Sequence, residues 1–393
     1  METKLLFCLF FITKFNVIKS SDGNEKFSVA FQWNFINYTW ESPEALEEAK
    51  SSGHYVPGED VIAGIKIYKD VIYLALPRVK KSASVTLASI PMKAAKENPL
   101  LSPYPSWDMN CKESCETIQN VLSMEIDKEG IMWVLDARRV DNNTKCPPRI
   151  ILLDLNKNGI VVQNFVVPDE LCPHNNGCFL NDIVVDGDFA YMSDTTKVDS
   201  GIFVYNRKLN QAWKFRDETM HGDPSAEIFT AQGVVKKGLE HINGIALSPN
   251  CGGNRTFYYM PQSSFNIFSI STAVLKNPNL AKGNVAIYIT NHGRKKGQSG
   301  GMVCDNKNYI YYGVLPLDSV YKWDTSKPVE DSTLVEQNSE IIKWPDSFSF
   351  DLDGNMFLIT NSILFFSKTE LNINEINFRI IKLHTGTKSY FYC

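Results

Sequence analysis

The sequence predicts an all-β fold, a six-bladed β-propeller of four-stranded antiparallel blades. Three observations predict it. A hairpin pattern occurs six times, with starts about every 60 residues. Further β segments follow each hairpin, and helical periodicity is nearly absent. Four-stranded units repeated around a ring bury both faces of each sheet and leave few free edges. A tandem of separate sandwiches would need linkers, and no Gly/Ser/Pro-rich linker interrupts the chain.

The hairpins justify the blade count. Their first apolar runs are residues 63–67, 122–126, 181–185, 243–247, 300–304 and 346–350. A polar turn follows each, and the returning runs are 71–74, 131–134, 189–192, 257–260, 310–312 and 356–359. In the last copy the turn is Asp353-Gly354-Asn355, a composition that reverses a chain between strands. Outer strands are expected at 84–90, 149–154 with 161–165, 202–205 with 212–215, 266–270, 319–323 and 378–383. One helix is expected over 43–50, with Ser42 as N-cap, Pro43 as first helical residue and Gly53 just beyond its end. The apolar stretch 27–35 is placed to close the ring against the last blade.

The chain has 393 residues, 44% of them hydrophobic, and a net charge of −4. That charge argues against nucleic-acid binding, whose footprint is a basic surface. The basic clusters Arg78-Val79-Lys80-Lys81 and Arg294-Lys295-Lys296 read as solvated loops. Residues 1–20, with Lys4, the apolar run 5–12 and Ser20, read as a signal peptide, leaving 21–393 as one secreted propeller. No later segment has the ~18 uninterrupted apolar residues of a membrane helix, and a monomer is expected.

Cys8 leaves with the signal peptide. Cys111, Cys115, Cys146, Cys172, Cys178, Cys251, Cys304 and Cys393 remain, an even set that reads as disulfides. Cys393 is expected to tether the terminus, with Cys304 as a speculative partner. Cys111 and Cys115 lack a matching pair at zinc-finger spacing. Sequons stand at Asn37, Asn142 and Asn254.

If the first strand of each hairpin lines the channel, its start and the end of its partner share one face of the ring. The first column is then Ala63-Gly64, Leu122-Ser123, Asn181-Asp182, Asn243-Gly244, Gly300-Gly301 and Asp346-Ser347. The second is Leu76, Asp136, Asp194, Gln262, Val314 and Asn361. Such small and polar ends also serve packing and loop anchoring. Yet Asn181, Asp182, Asn243, Asp346, Ser347 and Asn361 converge on one mouth, the arrangement of a small-ligand pocket. Gly-x-Ser-x-Gly, His-Glu-x-x-His and phosphate-binding Gly loops are missing from the sequence. His241, beside Asn243, reads as structural, and 351–355 as a hairpin turn rather than a calcium loop. No catalytic residue, metal or cofactor is expected.

Several stretches resemble the yellow/major royal jelly family. They are Trp33 with Phe35, Gly64-Ile65 ahead of Leu76-Pro77-Arg78, 83–88, Pro103-Tyr104-Pro105-Ser106-Trp107, 132–136, Cys146-Pro147-Pro148-Arg149 and Trp344-Pro345-Asp346-Ser347-Phe348. The likeness runs through the mature chain and is closest to the yellow-related proteins of sand-fly saliva. It implies a six-bladed propeller that sequesters serotonin, histamine and catecholamines in its channel, countering host haemostasis and inflammation. It places polar ligand contacts on Ser347 and Asn361, with the backbone around Ile363 adding to them. Ser347 stands where the family commonly has Thr. The aromatic face of Phe348, Asp346 or Asp182 could receive the ammonium. The alternatives are a dopachrome-converting enzyme with His241 or Asp182 as acid or base, a calcium-dependent lactonase using Asn181 and Asn243, and a structural or cuticular role.

Overall fold

In the computed structural model, residues 27–80, 82–139, 145–173, 177–250, 252–362 and 371–393 are described. The expected signal peptide with Cys8, and Lys81, Asn142, Cys251 and Ile363, lie outside the described residues. Six four-stranded antiparallel sheets are arranged as a six-bladed propeller. The innermost strands are Gly64–Tyr68, Ser123–Ile126, Leu180–Asp186, Ile242–Leu247, Met302–Cys304 and Phe348–Phe350. Each packs against the next around the ring, and the sixth returns to the first. That last junction is hydrogen-bonded: the Ile65 and Ile67 amides donate to Ser347 Oγ and Ser349 Oγ, at 3.1 and 3.0 Å.

The ring closes as the apolar N-terminal stretch suggested. Phe27–Trp33 pairs antiparallel with Phe378–His384 and becomes the outermost strand of the sixth blade. Large side chains fill the spaces between blades, and Trp33, Trp133 and Trp323 are at most 1% exposed. Burying each such ring contributes at least about 1.5–3 kcal/mol. The helix forms at Pro43–Ser51, with Ser42 Oγ accepting from the Ala45 amide at 3.2 Å and Gly53 at φ +73° just past its end.

A second hairpin, Ile228–Ala231 with Val234–Lys237, is inserted between the third and fourth blades and belongs to neither sheet. It has too few alternating apolar positions to stand out in the sequence. Its Phe229 stacks on Trp344, 6.2 Å between centroids, and Lys236 Nζ sits 5.0 Å from the Trp344 ring centre. Trp344 has φ +50°. That left-handed conformation is uncommon for a bulky residue and is strained.

The C-terminal residues run as a strap across the opposite end of the channel. Lys388 N donates to Asn306 Oδ1, Ser389 bridges to Asp305, and Tyr390 N donates to Cys304 O. The Tyr390 hydroxyl donates to Val185 O and accepts from Val185 N, each at 3.0 Å, and Arg255 Nη1 donates to Tyr390 O.

Disulfides join Cys115 to Cys146 and Cys172 to Cys178, and Cys393 is also disulfide-bonded. Cys304 is not its partner. Cys304 is a buried free thiol packed between the fourth and fifth blades beside Ile310 and Trp323. Cys111, expected in a disulfide, is an exposed free thiol 2.7 Å from Glu113 Oε2. The even count therefore overstated the bonding. The solvated reading of the two basic clusters fails at one residue in each, while Arg294 and Lys296 are exposed as expected. Arg78 is 6% exposed and donates to the carbonyls of Ala83, Ser84, Ile118, Gln119 and Asn110, which ties neighbouring loops together. Lys295 is 3% exposed, donates to Ser264 O and Gly297 O, and has its pKa pulled down to about 7 by burial.

Candidate ligand site

The inner strands do line the channel. Asn181, Asp182, Asn243, Asp346, Ser347 and Phe348 all face a cavity of about 50 Å³ at the predicted mouth. Their carboxamides and carboxylates form two short chains. Asn181 Nδ2 donates to Asn243 Oδ1 at 2.8 Å, and Asn243 Nδ2 reaches Gln262 Oε1 at 3.4 Å. Ser123 Oγ donates to Asp182 Oδ1 at 2.8 Å, which also accepts from the Ile183 amide at 2.9 Å.

Asp346 approaches the fifth blade so closely that glycine is required there. A side chain on Gly300 would meet the Asp346 carboxylate, and one on Gly301 would run into its backbone. Burial pushes the Asp346 pKa up to about 7, the charge of Asp182 adding to the effect and Lys236 opposing it. Burial also raises Asp182, against the pull of Lys66 and of the Ser123 hydroxyl. Among the described residues, neither carboxylate makes an ion pair within 4 Å. Two acids thus face one small space without a cation bound to them.

Asn361 is placed differently. It is 1% exposed, its amide donates to Lys343 O at 2.8 Å, and its Nδ2 donates to Ile62 O at 3.1 Å. It is not among the residues bordering the mouth cavity. Ser347 and Asn361 therefore lie on adjacent strands, but only Ser347 faces the channel. Its hydroxyl accepts from Ile65 N and keeps its own proton to donate.

The rest of the second column is structural. Asp136 pairs with Arg139 and Arg149, at 3.1 and 2.9 Å, and accepts from the Gln119 and Asn120 amides. Asp194 pairs with Lys214 at 2.6 Å. His241 Nδ1 accepts from the Gly222 amide, its ring lies 5.3 Å from His221, and burial with that neighbour lowers its pKa. Among the described residues there is no group of three or more His, Cys, Asp or Glu side chains placed to hold a metal ion. No helix among them is long and apolar enough to cross a membrane.

The major royal jelly protein family model matches residues 119–389, more than half of the chain. The chain belongs to this family. A dopaminechrome tautomerase of Drosophila melanogaster is 24% identical over 93% of this family member and 83% of that protein. Protein yellow of Drosophila madeirensis is also 24% identical, over 93% of this chain but only 66% of its own length. Among solved structures, a luciferin-regenerating enzyme superposes with a TM-score of 0.51 at 11% identity, covering 84% of this chain and 93% of that one. That likeness shows the propeller fold alone.

Two features of this royal-jelly-family propeller escaped sequence reasoning. The hairpin carrying Phe229 and Lys236 covers Trp344 at the mouth. Lys66, between Ile65 and Ile67, points into the channel and pairs with Glu125 at 3.0 Å. A lysine flanked by isoleucines reads as the solvent face of a strand, and no local signal separates that face from a channel wall.

Proposed function

We propose that this chain is a secreted, salivary binder of biogenic amines (serotonin, histamine and catecholamines) that sequesters them without turnover and so counters host haemostasis and inflammation. The observation that carries this reading is the unneutralised pair Asp182 and Asp346 at the channel mouth. An ammonium supplies the charge that these carboxylates lack, and a charge-assisted hydrogen bond in a desolvated site is stronger than a neutral one. The cavity of about 50 Å³ has room for an ammonium rather than a ring. The ring then lies toward Trp344, with the Ser347 hydroxyl taking one of its polar atoms and Phe348 forming the channel wall beneath.

Three measurements test the reading together. Calorimetry with serotonin should give saturable binding at one equivalent. A dopachrome turnover assay run beside it should give none. Asp346→Asn should weaken serotonin by about 10- to 100-fold, the range for losing a charge-assisted hydrogen bond in a buried site. Lys208→Ala, on an exposed turn, is the control.

A tautomerase is the second reading, favoured by the dopaminechrome tautomerase relative. Its acid or base would come from His241 or Asp182. Turnover of dopachrome that is lost in His241→Gln, with no serotonin binding by wild type, would establish it instead. Glycosylation is proposed at Asn254, which is exposed. At Asn37 the carboxamide oxygen already accepts from Tyr38 N and Trp40 Nε1.

A further inference from the structure

The channel's larger space lies at its other end. A cavity of about 420 Å³ opens between the inner hairpin turns of the sixth, first and second blades and the C-terminal strap. The strap itself is bonded to the third, fourth and fifth blades through Val185, Arg255 and Cys304. It therefore runs along one side of the channel exit and walls the chamber on the other. Lys66, Glu125, Val303, Phe348 and Tyr390 border both this lower chamber and the small mouth cavity, and so form the partition between them. The lower volume is in the range of small-molecule sites, whereas the upper one suits a water or an ammonium.

The walls of the lower chamber are aromatic. Tyr68, Phe348, Phe350, Tyr390, Phe391 and Tyr392 all border it. Its charged rim is mostly committed elsewhere. Asp351 accepts from Asp353 N, Asn355 N and Asn355 Nδ2 within its own turn. Asp127 accepts from Glu129 N, Ile131 N and Trp133 Nε1. Lys69 donates to Asn156 and lies over the Tyr68 ring, and the Tyr68 hydroxyl donates to the same Asn156 oxygen.

The Lys66–Glu125 pair on the partition retains hydrogen-bonding capacity. The Lys66 ammonium has three donors and uses one on Glu125 Oε2, while Glu125 Oε1 accepts from the Ile126 amide. The two side chains are 14% and 7% exposed. A charged ligand group placed on this pair would unbalance two buried, mutually neutralised ions. A hydroxyl would not, because it can accept from the ammonium and donate to the carboxylate at once.

We propose that the lower chamber is a second binding site, for an uncharged planar aromatic alcohol such as a phenol or naphthol, whose hydroxyl docks on Lys66 and Glu125 while its ring lies among the chamber's aromatic side chains. The site is separate from the amine-binding mouth and stands whether or not that mouth binds amines.

The test is a titration of the full-length protein with 2-naphthol, followed by the probe's fluorescence. Saturable binding at one equivalent is expected. Tyr392→Ala and the paired change Lys66→Met with Glu125→Gln should each weaken it by about tenfold or more, and 2-methoxynaphthalene, which has no proton to donate, should bind about tenfold more weakly than 2-naphthol. Ser347→Ala, which removes a hydroxyl of the upper cavity, should leave the affinity unchanged, and serotonin should not displace the probe. Should the paired change unfold the ring, Tyr392→Ala and the methoxy comparison still decide. No saturable binding by wild type, or wild-type affinity in a folded Tyr392→Ala, overturns the proposal. So does loss of binding in Ser347→Ala, which would place the probe at the mouth.

Discussion

Aspartates in two neighbouring columns of the propeller have opposite fates. Asp136 and Asp194, at the ends of second strands, are fully buried and paired with Arg139, Arg149 and Lys214. Asp182 and Asp346, at the starts of inner strands one position closer to the axis, have no such partners among the described residues. Lys66 and Lys236 act on them only at longer range. Where carboxylates tie loops together the chain has completed its own electrostatics, and at the channel mouth it has not. A carboxylate that holds two loops in place comes with built-in cations. The two carboxylates at the mouth are desolvated and wait with only distant compensation.

The largest effect is expected at the completed end. Asp136→Ala leaves two buried guanidinium groups unpaired and should destabilise the protein by about 3–5 kcal/mol, read as a fall in the midpoint of urea unfolding. At the waiting end, Asp346→Asn should do the reverse of harm to stability at pH 8. It should still weaken serotonin by about 10- to 100-fold, the worth of a charge-assisted hydrogen bond. Equal loss of stability in both variants would erase the distinction between the columns.

Acid titration sharpens it further. The folded-state pKa of Asp346 is raised from 3.8 to about 7, so between these values the folded protein holds a proton that the unfolded chain has released. Its contribution to stability is fully present below about 3.8, falls as pH rises, and is lost by about 7. Asp60, 2% exposed and also pushed up to about 7 by burial, behaves alike. Asp60→Asn should therefore stabilise the protein more at pH 8 than at pH 4, by about 1.4 kcal/mol for each pH unit of the window it crosses. Thermal melts at the two pH values measure it. For the ligand the sign reverses: serotonin affinity should rise from pH 5.5 to 8 as Asp346 ionises, with proton release near pH 6.5 in calorimetry across buffers of different ionisation enthalpy. The smallest effect is expected from Ser347→Ala. Ser347 has a hydroxyl that could donate one neutral hydrogen bond to the amine's ring oxygen, about 0.5–1.5 kcal/mol.

Much of this was legible in the sequence because hairpins are local. Alternation with a turn such as Asp353-Gly354-Asn355 needs only a dozen residues to declare itself, so the inner strands, the blade number and the channel-facing positions of Asn181, Asp182, Asn243, Asp346 and Ser347 could be read directly. Contacts between distant segments could not. Asn361 has the right column but turns its amide to Ile62 O, a choice made by a loop some 300 residues away. Lys295 and Arg78 carry the letters of a solvated patch, yet each is buried among backbone carbonyls that no charge pattern reveals. Cysteine count could not foresee that Cys304 packs as a small apolar side chain or that Cys111 remains a thiol.

The pairing of Phe27–Trp33 with Phe378–His384 has a consequence for the order of assembly. The sixth blade draws its outer strand from the start of the chain and its other three from the end. During synthesis the first five blades can form in turn as each leaves the ribosome, while the early strand waits with unpaired backbone groups. Bringing it to its partner closes a loop of nearly the whole protein, the costliest contact in chain entropy and the slowest by contact order. The ring therefore shuts last. Until the final residues emerge, the nascent chain is an open arc with two sticky ends.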